Sequence, residues 1–532
     1  MSDAQHSHQR LSPWRQAAVL AGLTVAVFST TLAAGFVYDA RLQILTDPFL
    51  HDPRNWWPVL TFGVLRMDVL DFNRPVHLAS LMLDAAAWGK TPFGYHLTSV
   101  LLHAVNVVLT WMVLRRLCSG TPAGIHGARP SSSAPLAAAA AALTFAMHPV
   151  VTEAVCEPTF REDLLVAFFT LGGLLLAMGR RPEVPGRDGW RAAACIACAL
   201  LAIGSKESGI AAPAVIGVYW LVFRRGDRDW FWPIVTGGAK LAVLGFLAAR
   251  FLLEPEVSRI FESRPQYPGG SLATAMMIEP RILALYAQLV VLPINLCADY
   301  GPHSIAHLPL PVAMAVLVAL VVAAVLASRA DRRMLLAITL IVVPLLPVSN
   351  VIPIYRAAAD RYLYLPMAGV ALAVGLLLDP PWLAGRERLR SRLLIGVIVA
   401  DILLGAGCLA RQKVWADQLA LWTDTFRKNP VAYTAASGLA EALREAGRLT
   451  EAEQAARCAI ELSGGGRGDA WAALALTLDD QGRAAEAFTA LDKAIEVDAK
   501  LADPDARVAA LAMERPYAEA LGRLLARRKA AR

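Results

Sequence analysis

Long apolar runs recur throughout the first 410 residues of this sequence, and short segments that carry arginine separate most of them. A run of about 20 apolar residues is long enough to cross a bilayer as a helix, and a helix bonds its backbone polar groups within itself. Of the 532 residues, 56% are hydrophobic and 18% are charged, whereas about 25% of a soluble domain is charged. The sequence therefore predicts an all-α, polytopic membrane protein.

About eleven runs are predicted to span the membrane. The first has no obvious cleavage context, so we expect a retained helix rather than a signal peptide. The predicted spans lie near residues 16–36, 95–115, 135–155, 162–179, 192–205, 208–223, 232–253, 311–328, 333–349, 364–379 and 391–410. Residues 1–410 are thus predicted to form a membrane domain.

Arginines in the short loops predict the orientation of these spans, because Lys and Arg near the ends of spans favour the cytoplasm. The arginine clusters at 10–15, 115–116, 180–191, 224–228, 329–333 and 386–392 all fall on one side if the apolar stretch 281–294 does not cross. That stretch is short and contains Tyr286, Gln288 and Pro293, so we interpret it as re-entrant or interfacial. The amino terminus is then predicted to be cytoplasmic and the carboxyl terminus exterior.

The exterior side collects the polar segments that could carry chemistry. It receives the long segments 37–95 and 254–310, the turns at His148 and Lys206, and the loop 350–361. The first of these segments is too polar and too rich in proline to span, yet it is rich in Trp, Phe and Leu. We expect one or two short helices lying in the membrane interface there, anchored by its two adjacent tryptophans.

After residue 410 the composition changes to one rich in Ala, Leu, Glu and Arg. Gly-Arg at 447–448 recurs at 482–483, and a period of this length with Ala at helix-packing positions is typical of tetratricopeptide repeats. We predict two repeats, near 431–465 and 468–502, within a small α-solenoid of residues 411–532. Flanking helices are expected to cap the repeats, because two repeats alone bury little apolar surface.

Net charge and cysteine content argue against other classes of protein. The net charge is +7, but its arginines cluster between apolar runs, and no nucleic-acid-binding motif is present. The seven cysteines are scattered, and the C-x-x-C of Cys195 and Cys198 lies within an apolar run. We expect these two to be small core residues rather than a redox or metal pair.

Ionisable groups at the exterior ends of spans are candidates for function by default. Asp39 follows the first span directly, where a carboxylate stays solvated and close to anything held at the lipid surface. Lys206 and Glu207 form either a simple ion pair or an anchor for an anionic lipid phosphate. Arg361 opens a helix whose free backbone N–H groups suit a phosphate, or it belongs to an interfacial belt of Arg and Tyr.

Two further groups of polar residues lie within or beside spans. His148 and Glu153 precede the charged run 161–163 across a proline break; these charges either pair with one another or serve function, and their number exceeds what a structural turn needs. Three polar residues of the second span share one helical face and either bond to neighbouring helices or line a cavity. They are His96, His103 and Asn106.

Eight stretches occur along the chain in the order GFVYD, RPVHLASLMLDAAAWGKTPFGYHLTSVLLHAVNVVL, HPVVTEAV, REDLLVAFF, KESGI, INLCADY, DRYLYLPMAGVAL and RQKVWADQLALW. In order and spacing, over nearly the whole chain, they resemble the TMTC-type protein O-mannosyltransferases and their bacterial relatives. The repeats follow the spans as they do in that family.

The resemblance implies a GT-C glycosyltransferase fold. It implies transfer of a sugar, mannose or another hexose, from a polyprenyl-phosphate donor to a Ser or Thr hydroxyl with inversion. The family's catalytic acidic position falls on Asp39; where the family usually has two acidic residues, this chain continues with Ala40. The implied partners are the lipid-linked donor, membrane lipids and a protein acceptor engaged by the repeats. The implied location is a bacterial inner membrane, with the repeats in the periplasm.

Inverting transfer needs a base for the hydroxyl proton and cations for the departing phosphate. With Asp39 as the base, we assign donor-phosphate or substrate binding to nine residues. They are Arg74, His148, Glu153, Arg161, Asp163, Lys206, Glu207, Arg361 and Tyr362. Asp47, Asp68 and Asp71 form no clear D-x-D, so we expect no metal, and no cofactor beyond the donor.

Two other classes of function stay open. A non-catalytic membrane scaffold that presents its repeats to a partner protein would fit the missing second acid at residue 40. A transporter of lipid-linked sugars would be expected to carry charges deep in its spans and inverted repeats, and the sequence indicates neither. Asp68, Asp71 and Glu153 are the alternative bases if Asp39 does not serve.

Overall fold

The computed structural model of the chain describes residues 12–118, 134–180, 188–227, 229–253, 266–301, 305, 308–379, 383, 385–509 and 513–531. Within these residues the regular secondary structure is helical, and no β-strand is present. The predicted all-α class is therefore confirmed. Residues 254–265, 302–304 and 306–307 of the predicted exterior segment 254–310 lie outside the described residues.

The helices up to residue 412 are numbered in chain order. They are α1 Pro13–Phe28, α2 Trp56–Leu60, α3 Pro75–Trp88, α4 Pro92–Cys118, α5 Ala134–Met147, α6 Thr152–Cys156, α7 Arg161–Met178, α8 Asp188–Ser205, α9 Ala211–Tyr219, α10 Phe231–Leu253, α11 Leu272–Val291, α12 Leu310–Ala330, α13 Met334–Val342, α14 Tyr364–Leu378 and α15 Glu387–Gln412. Short 3₁₀ turns extend several of them, including Ser29–Ala33 after α1 and Asp360–Leu363 before α14.

Eight of the described helices are long and apolar enough to cross a membrane, and the prediction of a multi-pass membrane protein is confirmed. They are α1, α4, α8, α10, α11, α12, α14 and α15 with their extensions, and the bent pair formed by α5 and the segment Pro149–Cys156 would add a ninth. A spanning helix is expected to carry at most two charged residues within 18. The predicted span at α7 has 18 residues and begins with three charged ones, so it does not qualify. Those at α9 and α13 are short.

Contacts at helix ends nevertheless sort the helices between two ends of the bundle. At one, the arginine end, Arg116 of α4 donates to the carbonyl of Leu175 late in α7, and Arg333 donates to the last turn of α4. The first turns of α4 and α7 meet at the opposite end, where Arg161 donates to the carbonyl of Tyr95. We call this the Asp39 end. α4 and α7 therefore both run from the Asp39 end to the arginine end, while the eleven crossings stay a prediction of the sequence.

The stretch 281–294 belongs to a longer helix than predicted, because α11 runs continuously for 20 residues. By length and composition it could cross a membrane. Both of its halves nevertheless contact the Asp39 end: Glu279 accepts from Asn350 at 2.9 Å, and Tyr286 accepts from the backbone of Ala359 at 3.3 Å. Val290 accepts from the His148 ring at 3.0 Å. These contacts favour the interfacial placement.

Seven helices follow the membrane helices. They are α16 Gln418–Lys428, α17 Tyr433–Glu445, α18 Leu449–Leu462, α19 Gly468–Asp480, α20 Ala484–Val497, α21 Pro504–Ala509 and α22 Arg515–Ala531. Two successive antiparallel pairs are formed by α17 with α18 and by α19 with α20. Gly447 and Gly482 occupy the same turn in each pair with φ near 75°, a conformation open to glycine. Buried alanines and leucines of α17–α20 form a core that also includes Leu521 and Leu524 of α22.

These helical pairs pack directly on the Asp39 end of the membrane domain. The backbone N–H of Gly35 donates to the carbonyl of Ala416 at 3.0 Å. Lys428 donates to the carbonyl of Leu296 at 2.7 Å, and Arg41 pairs with Glu445. The carboxyl-terminal helices therefore form part of the surroundings of any site at this end.

Candidate active site

The loop 35–41 joins the extended first helix to a π-helical turn, Arg41–Thr46. Tyr38 has a φ of 53°, a left-handed conformation that costs a residue with a side chain about 1–2 kcal/mol. Its ring stacks on Trp422 of α16 with centroids 5.6 Å apart and packs edge-on against Trp415. The helices that follow the membrane domain therefore help to hold this loop in an unfavourable conformation.

Asp39 is exposed to solvent, and among the described residues its carboxylate makes no hydrogen bond or close ion pair. The surrounding protein displaces water from the Asp39 carboxylate. This desolvation is the largest effect on the pKa of Asp39 and raises it above the usual 3.8. Arg361 and Arg356 oppose this shift, whereas Asp71 and Glu162 add to it. A carboxylate with a raised pKa and no partner is suited to accept a proton.

A network of buried ion pairs lies close to Asp39. Arg74 contacts Glu162 at 2.6 Å, and Lys206 contacts Glu162 at 2.9 Å and Asp163 at 2.6 Å. Glu207 joins through Arg74 at 3.4 Å. The structure thus brings four predicted binding residues together, Arg74, Asp163, Lys206 and Glu207, but both cations already hold carboxylate partners.

Arg361 and Glu153, two further predicted site residues, form a pair of their own. The backbone N–H of Arg361 donates to one carboxylate oxygen at 3.0 Å, and its guanidinium donates to the other. The guanidinium also lies 3.9 Å from the centre of the Phe160 ring and 5.2 Å from that of Tyr362. Because the side chains are only 10% and 1% exposed, this pair is largely shielded from water.

Arg356 is the second arginine whose charge acts on Asp39, and its side chain is more open to solvent than that of Arg361. It pairs with Asp299 at 2.7 Å, and its side chain is 25% exposed. The guanidinium lies 5.7 Å from the centre of the Tyr38 ring. The sequence analysis did not include Arg356 among the site residues, although it stands in the same exterior loop as Arg361.

His148 and Arg161 occupy structural positions rather than an open cleft. Both ring nitrogens of His148 bond to backbone groups: one lies 3.0 Å from the carbonyl of Val290 in α11, and the other accepts from the N–H of Val150 at 3.3 Å. Arg161 is fully buried, pairs with Asp84 at 2.6 Å and bonds to Ser99 and to the backbone of Tyr95. These two predicted assignments need correction, because neither side chain has a free donor directed at a phosphate.

The polar face of α4 bonds between helices. His103 lies 2.8 Å from the hydroxyl of Tyr364 on α14, and Asn106 donates to the carbonyl of Leu164 on α7 at 2.9 Å. These contacts support the interhelical alternative for this face.

One group of side chains has ligand types that could hold a metal ion. Ligand atoms of Asp71, His77 and Glu162 lie within 4.8 Å of one another, and neither ring nitrogen of His77 has a hydrogen-bond partner among the described residues. Arg74, however, contacts both carboxylates, at 3.0 and 2.6 Å. Its guanidinium would repel a divalent ion held between them, so we derive no step through a metal.

The sequence analysis also did not single out Glu157, which follows α6. It is fully buried, and one of its oxygens accepts from the backbone N–H of Ala40 at 3.1 Å. No local sequence signal connects two residues 117 positions apart. A glutamate between an apolar helix and a proline was the only indication that this position is unusual.

No protein-family model matches the chain. Among curated proteins it is similar to the protein O-mannosyl-transferase F38B6.6 of Caenorhabditis elegans, at 24% identity over 380 residues covering 68% of this chain and 51% of the relative. Tmtc1 of Drosophila melanogaster is 32% identical over 201 residues, covering 37% and 21%. Human TMTC1 is 24% identical over 517 residues, covering 85% and 55%. The chain thus spans about half the length, or less, of these relatives, which confirm the resemblance to TMTC-type protein O-mannosyltransferases.

Solved structures of ArnT from Cupriavidus metallidurans show a weaker likeness. The structure bound to undecaprenyl phosphate has 14% identity and a TM-score of 0.41, covering 98% of this chain and 79% of ArnT. The apo structure has 16% identity and a TM-score of 0.43, covering 92% and 78%. A likeness of this size assigns no residue or ligand here.

Proposed function

We propose that this chain is a GT-C-type membrane glycosyltransferase that moves a sugar, mannose or another hexose, from a polyprenyl-phosphate donor to a Ser or Thr hydroxyl of a protein. The resemblance to protein O-mannosyltransferases supports the class of reaction. A cluster of charges at one end of the helix bundle supports a donor whose lipid tail stays in the bilayer while its phosphate and sugar meet protein groups at the surface.

In the proposed reaction the Asp39 carboxylate accepts the proton of the acceptor hydroxyl as its oxygen attacks the anomeric carbon. The new glycosidic bond forms on the face opposite the bond to the phosphate oxygen, which breaks, so the configuration inverts. Polyprenyl phosphate leaves with the electron pair. Arg356 is the cation open enough to contact this phosphate, while Arg361 and Lys206 add positive potential without giving up their partners.

One observation carries this proposal: Asp39 is an exposed carboxylate without a close partner, at the surface of a membrane domain and within the electrostatic influence of two arginines. A scaffold has no need of an exposed carboxylate held in a loop with a left-handed residue, next to two arginines.

The carboxyl-terminal helices are proposed to be tetratricopeptide repeats that engage the acceptor protein. They pack beside the Asp39 loop through Trp422 and Glu445, so an acceptor held by them would lie close to the base. We further propose that the Asp39 end faces the periplasm of a bacterial inner membrane. A carboxyl-terminal fusion should then be active with a periplasmic reporter enzyme, and strong activity of a cytoplasmic reporter would overturn this orientation.

The decisive experiment incubates the purified full chain with radiolabelled polyprenyl-phosphate sugars and a periplasmic extract, followed by location of the label on Ser or Thr. Labelled protein with the wild-type chain and none with Asp39→Asn supports the proposal. Label that appears equally with both variants assigns the base elsewhere, with Asp68, Asp71 and Glu153 as the next variants. No product from any donor would leave the scaffold function in its place.

A further inference from the structure

A buried carboxylate lies directly against the loop that carries Asp39. Glu157 begins the 3₁₀ turn Pro158–Phe160 and has no exposed surface. Burying a carboxylate is costly unless its oxygens are well bonded. The hydrogen-bond partners of Glu157 therefore indicate which part of the structure this buried carboxylate stabilises.

The two oxygens of Glu157 are used unequally. Oε1 accepts from the backbone N–H of Ala40 at 3.1 Å and from the Thr159 hydroxyl at 2.6 Å; the same N–H also lies 3.2 Å from the carbonyl of Val37. Oε2 is buried and has no hydrogen-bond partner among the described residues. Burial, with a contribution from the Asp39 charge, raises the pKa of Glu157 well above its ordinary value. The bond to Ala40 is thus the contact that ties this side chain to the rest of the site.

We propose that Glu157 is a positioning residue, which fixes the Asp39 carboxylate by holding the backbone N–H of Ala40. The kinetic part of this inference rests on the proposed function. Ala40 is fully buried, and Tyr38, on the other side of Asp39, has a left-handed backbone. A strained turn of this kind persists only where its surroundings hold it, and Glu157 anchors it from the membrane-domain side. A carboxylate 117 residues away thereby lies beside the position where this chain has no second acid.

The same turn also supports the cation next to Asp39. Phe160, three residues after Glu157, lies under the Arg361 guanidinium at 3.9 Å and packs edge-on against Tyr38 at 5.8 Å. The segment 157–160 therefore contacts the base loop at two points and Arg361 at a third. A shift of Glu157 would move the base relative to the cation.

The test compares Glu157→Gln, Glu157→Asp and Glu157→Ala in the full chain. The amide oxygen of Gln can still accept from Ala40, Asp keeps the carboxyl group but is too short, and Ala removes the contact. Hydrogen exchange of the peptide that contains Ala40, which requires no enzyme activity, should accelerate about tenfold or more in the Asp and Ala variants. Exchange in the Gln variant should stay near wild type.

Turnover is expected to follow the same order, with kcat about tenfold or more lower in Glu157→Asp and Glu157→Ala and an unchanged KM for the donor, while Glu157→Gln stays within a few-fold of wild type. Asp401→Asn is the matched control, because Asp401 is a buried carboxylate of α15 that contacts Thr144 and not the loop. If Ala does not fold, the contrast between Gln and Asp decides alone.

Wild-type exchange at Ala40 in all three variants would overturn the inference, whether or not any donor gives product. A loss of turnover in Glu157→Gln equal to that in Glu157→Ala would also overturn the inference. The carboxyl group itself, rather than the hydrogen bond to Ala40, would then matter. Absence of activity in the wild-type chain would contradict the proposed function alone, since the exchange measurement stands without it.

Discussion

Arg356 and Arg361, which lie in the loop 350–361, both lower the pKa of Asp39. Their ion pairs differ in burial and in the number of contacts. Arg361 is buried with Glu153, which is 1% exposed, and donates from both backbone and side chain. Arg356 is 25% exposed and holds Asp299, which is 12% exposed, through one contact at 2.7 Å. A buried pair loses several kcal/mol when one partner is removed, and this loss is smaller where water reaches the pair. The first pair therefore resembles a fixed part of the fold, whereas the second, which is partly open to water, is the one we propose to exchange its partner for the phosphate of the proposed donor.

The largest expected effect comes from removing the group that both arginines influence. Asp39→Asn should lower turnover about 10²- to 10⁴-fold, which is the usual contribution of a general base. Both arginine pairs stay intact, so folding and donor binding should change little. Single-turnover kinetics and donor affinity measured on the same preparation check this. Near-normal turnover would remove Asp39 from the mechanism and leave the comparison of the arginines without its reference point.

Arg361→Ala should destabilise the protein by about 3–5 kcal/mol, because it leaves the Glu153 carboxylate buried without its cation. The measurement is thermal unfolding of the detergent-purified protein. The double variant Glu153→Gln with Arg361→Gln should recover much of the loss. A stable Arg361→Ala variant with weakened donor binding would instead return Arg361 to the role of a direct phosphate ligand that the sequence predicts.

Arg356→Ala should fold normally and weaken donor binding about tenfold or more, since a charge-assisted hydrogen bond contributes about 1.5–3 kcal/mol. Arg356→Lys should recover only part of the affinity, because a point charge does not replace a two-pronged guanidinium. Donor titrations with both variants check this. Unchanged affinity in Arg356→Ala would show that the exposed pair does not exchange its partner.

The pH dependence of catalysis sharpens the same comparison. Arg356 lowers the pKa of Asp39, opposing the rise that burial causes. Removing this cation in Arg356→Gln should raise the pKa of Asp39. A base works only when deprotonated, so the acid limb of the kcat/KM profile should move to higher pH. A limb that stays in place or moves to lower pH would show that Asp39 is not the group being titrated.

The smallest effect is expected on the side of the carboxyl-terminal helices. Arg41 contacts Glu445 at 2.6 Å and Glu514 at 2.7 Å, all partly exposed. Arg41→Ala should lower turnover only a few-fold, and the difference should shrink at high salt because exposed charges are screened. Arg54→Ala is the control, since Arg54 is 89% exposed and bonds only to Asp52 among the described residues. A loss as large as that of Asp39→Asn would make this contact part of the catalytic machinery.

The sequence predicted the positions of charges better than their partners. Apolar runs predicted the multi-pass membrane domain, and several charges predicted at the ends of spans, among them Arg74, Asp163 and Lys206, meet at one end of the bundle. The sequence could not predict that Arg161 forms an ion pair with Asp84, because the pair joins α3 to α7, which are far apart in the sequence. Local patterns also missed Glu157, whose partner Ala40 has a side chain without polar atoms.

Helix length was the other point where periodicity fell short. The apolar stretch 281–294 was predicted to be short, but the helix begins earlier, at Leu272, because Pro280 lies inside α11 and does not end it. Conversely, α7 was predicted as an ordinary span, and its three opening charges are tolerated only because Asp84, Arg74 and Lys206 neutralise them. Tertiary partners that lie far away in the sequence decide both cases.

The contacts of the Asp39 loop with the carboxyl-terminal helices have a consequence for biosynthesis. Tyr38 stacks on Trp422, and Arg41 pairs with Glu445, which lies 404 residues later in the chain. At about 5–20 residues per second, a ribosome needs roughly 20–80 s to synthesise that length of chain. During that interval the first helices can already be inserted while the loop between them lacks the aromatic and acidic groups that shape it. Under the proposed function, the nascent membrane domain would meet its lipid-linked donor before Asp39 is held in place, and activity would begin only after the last helices have docked.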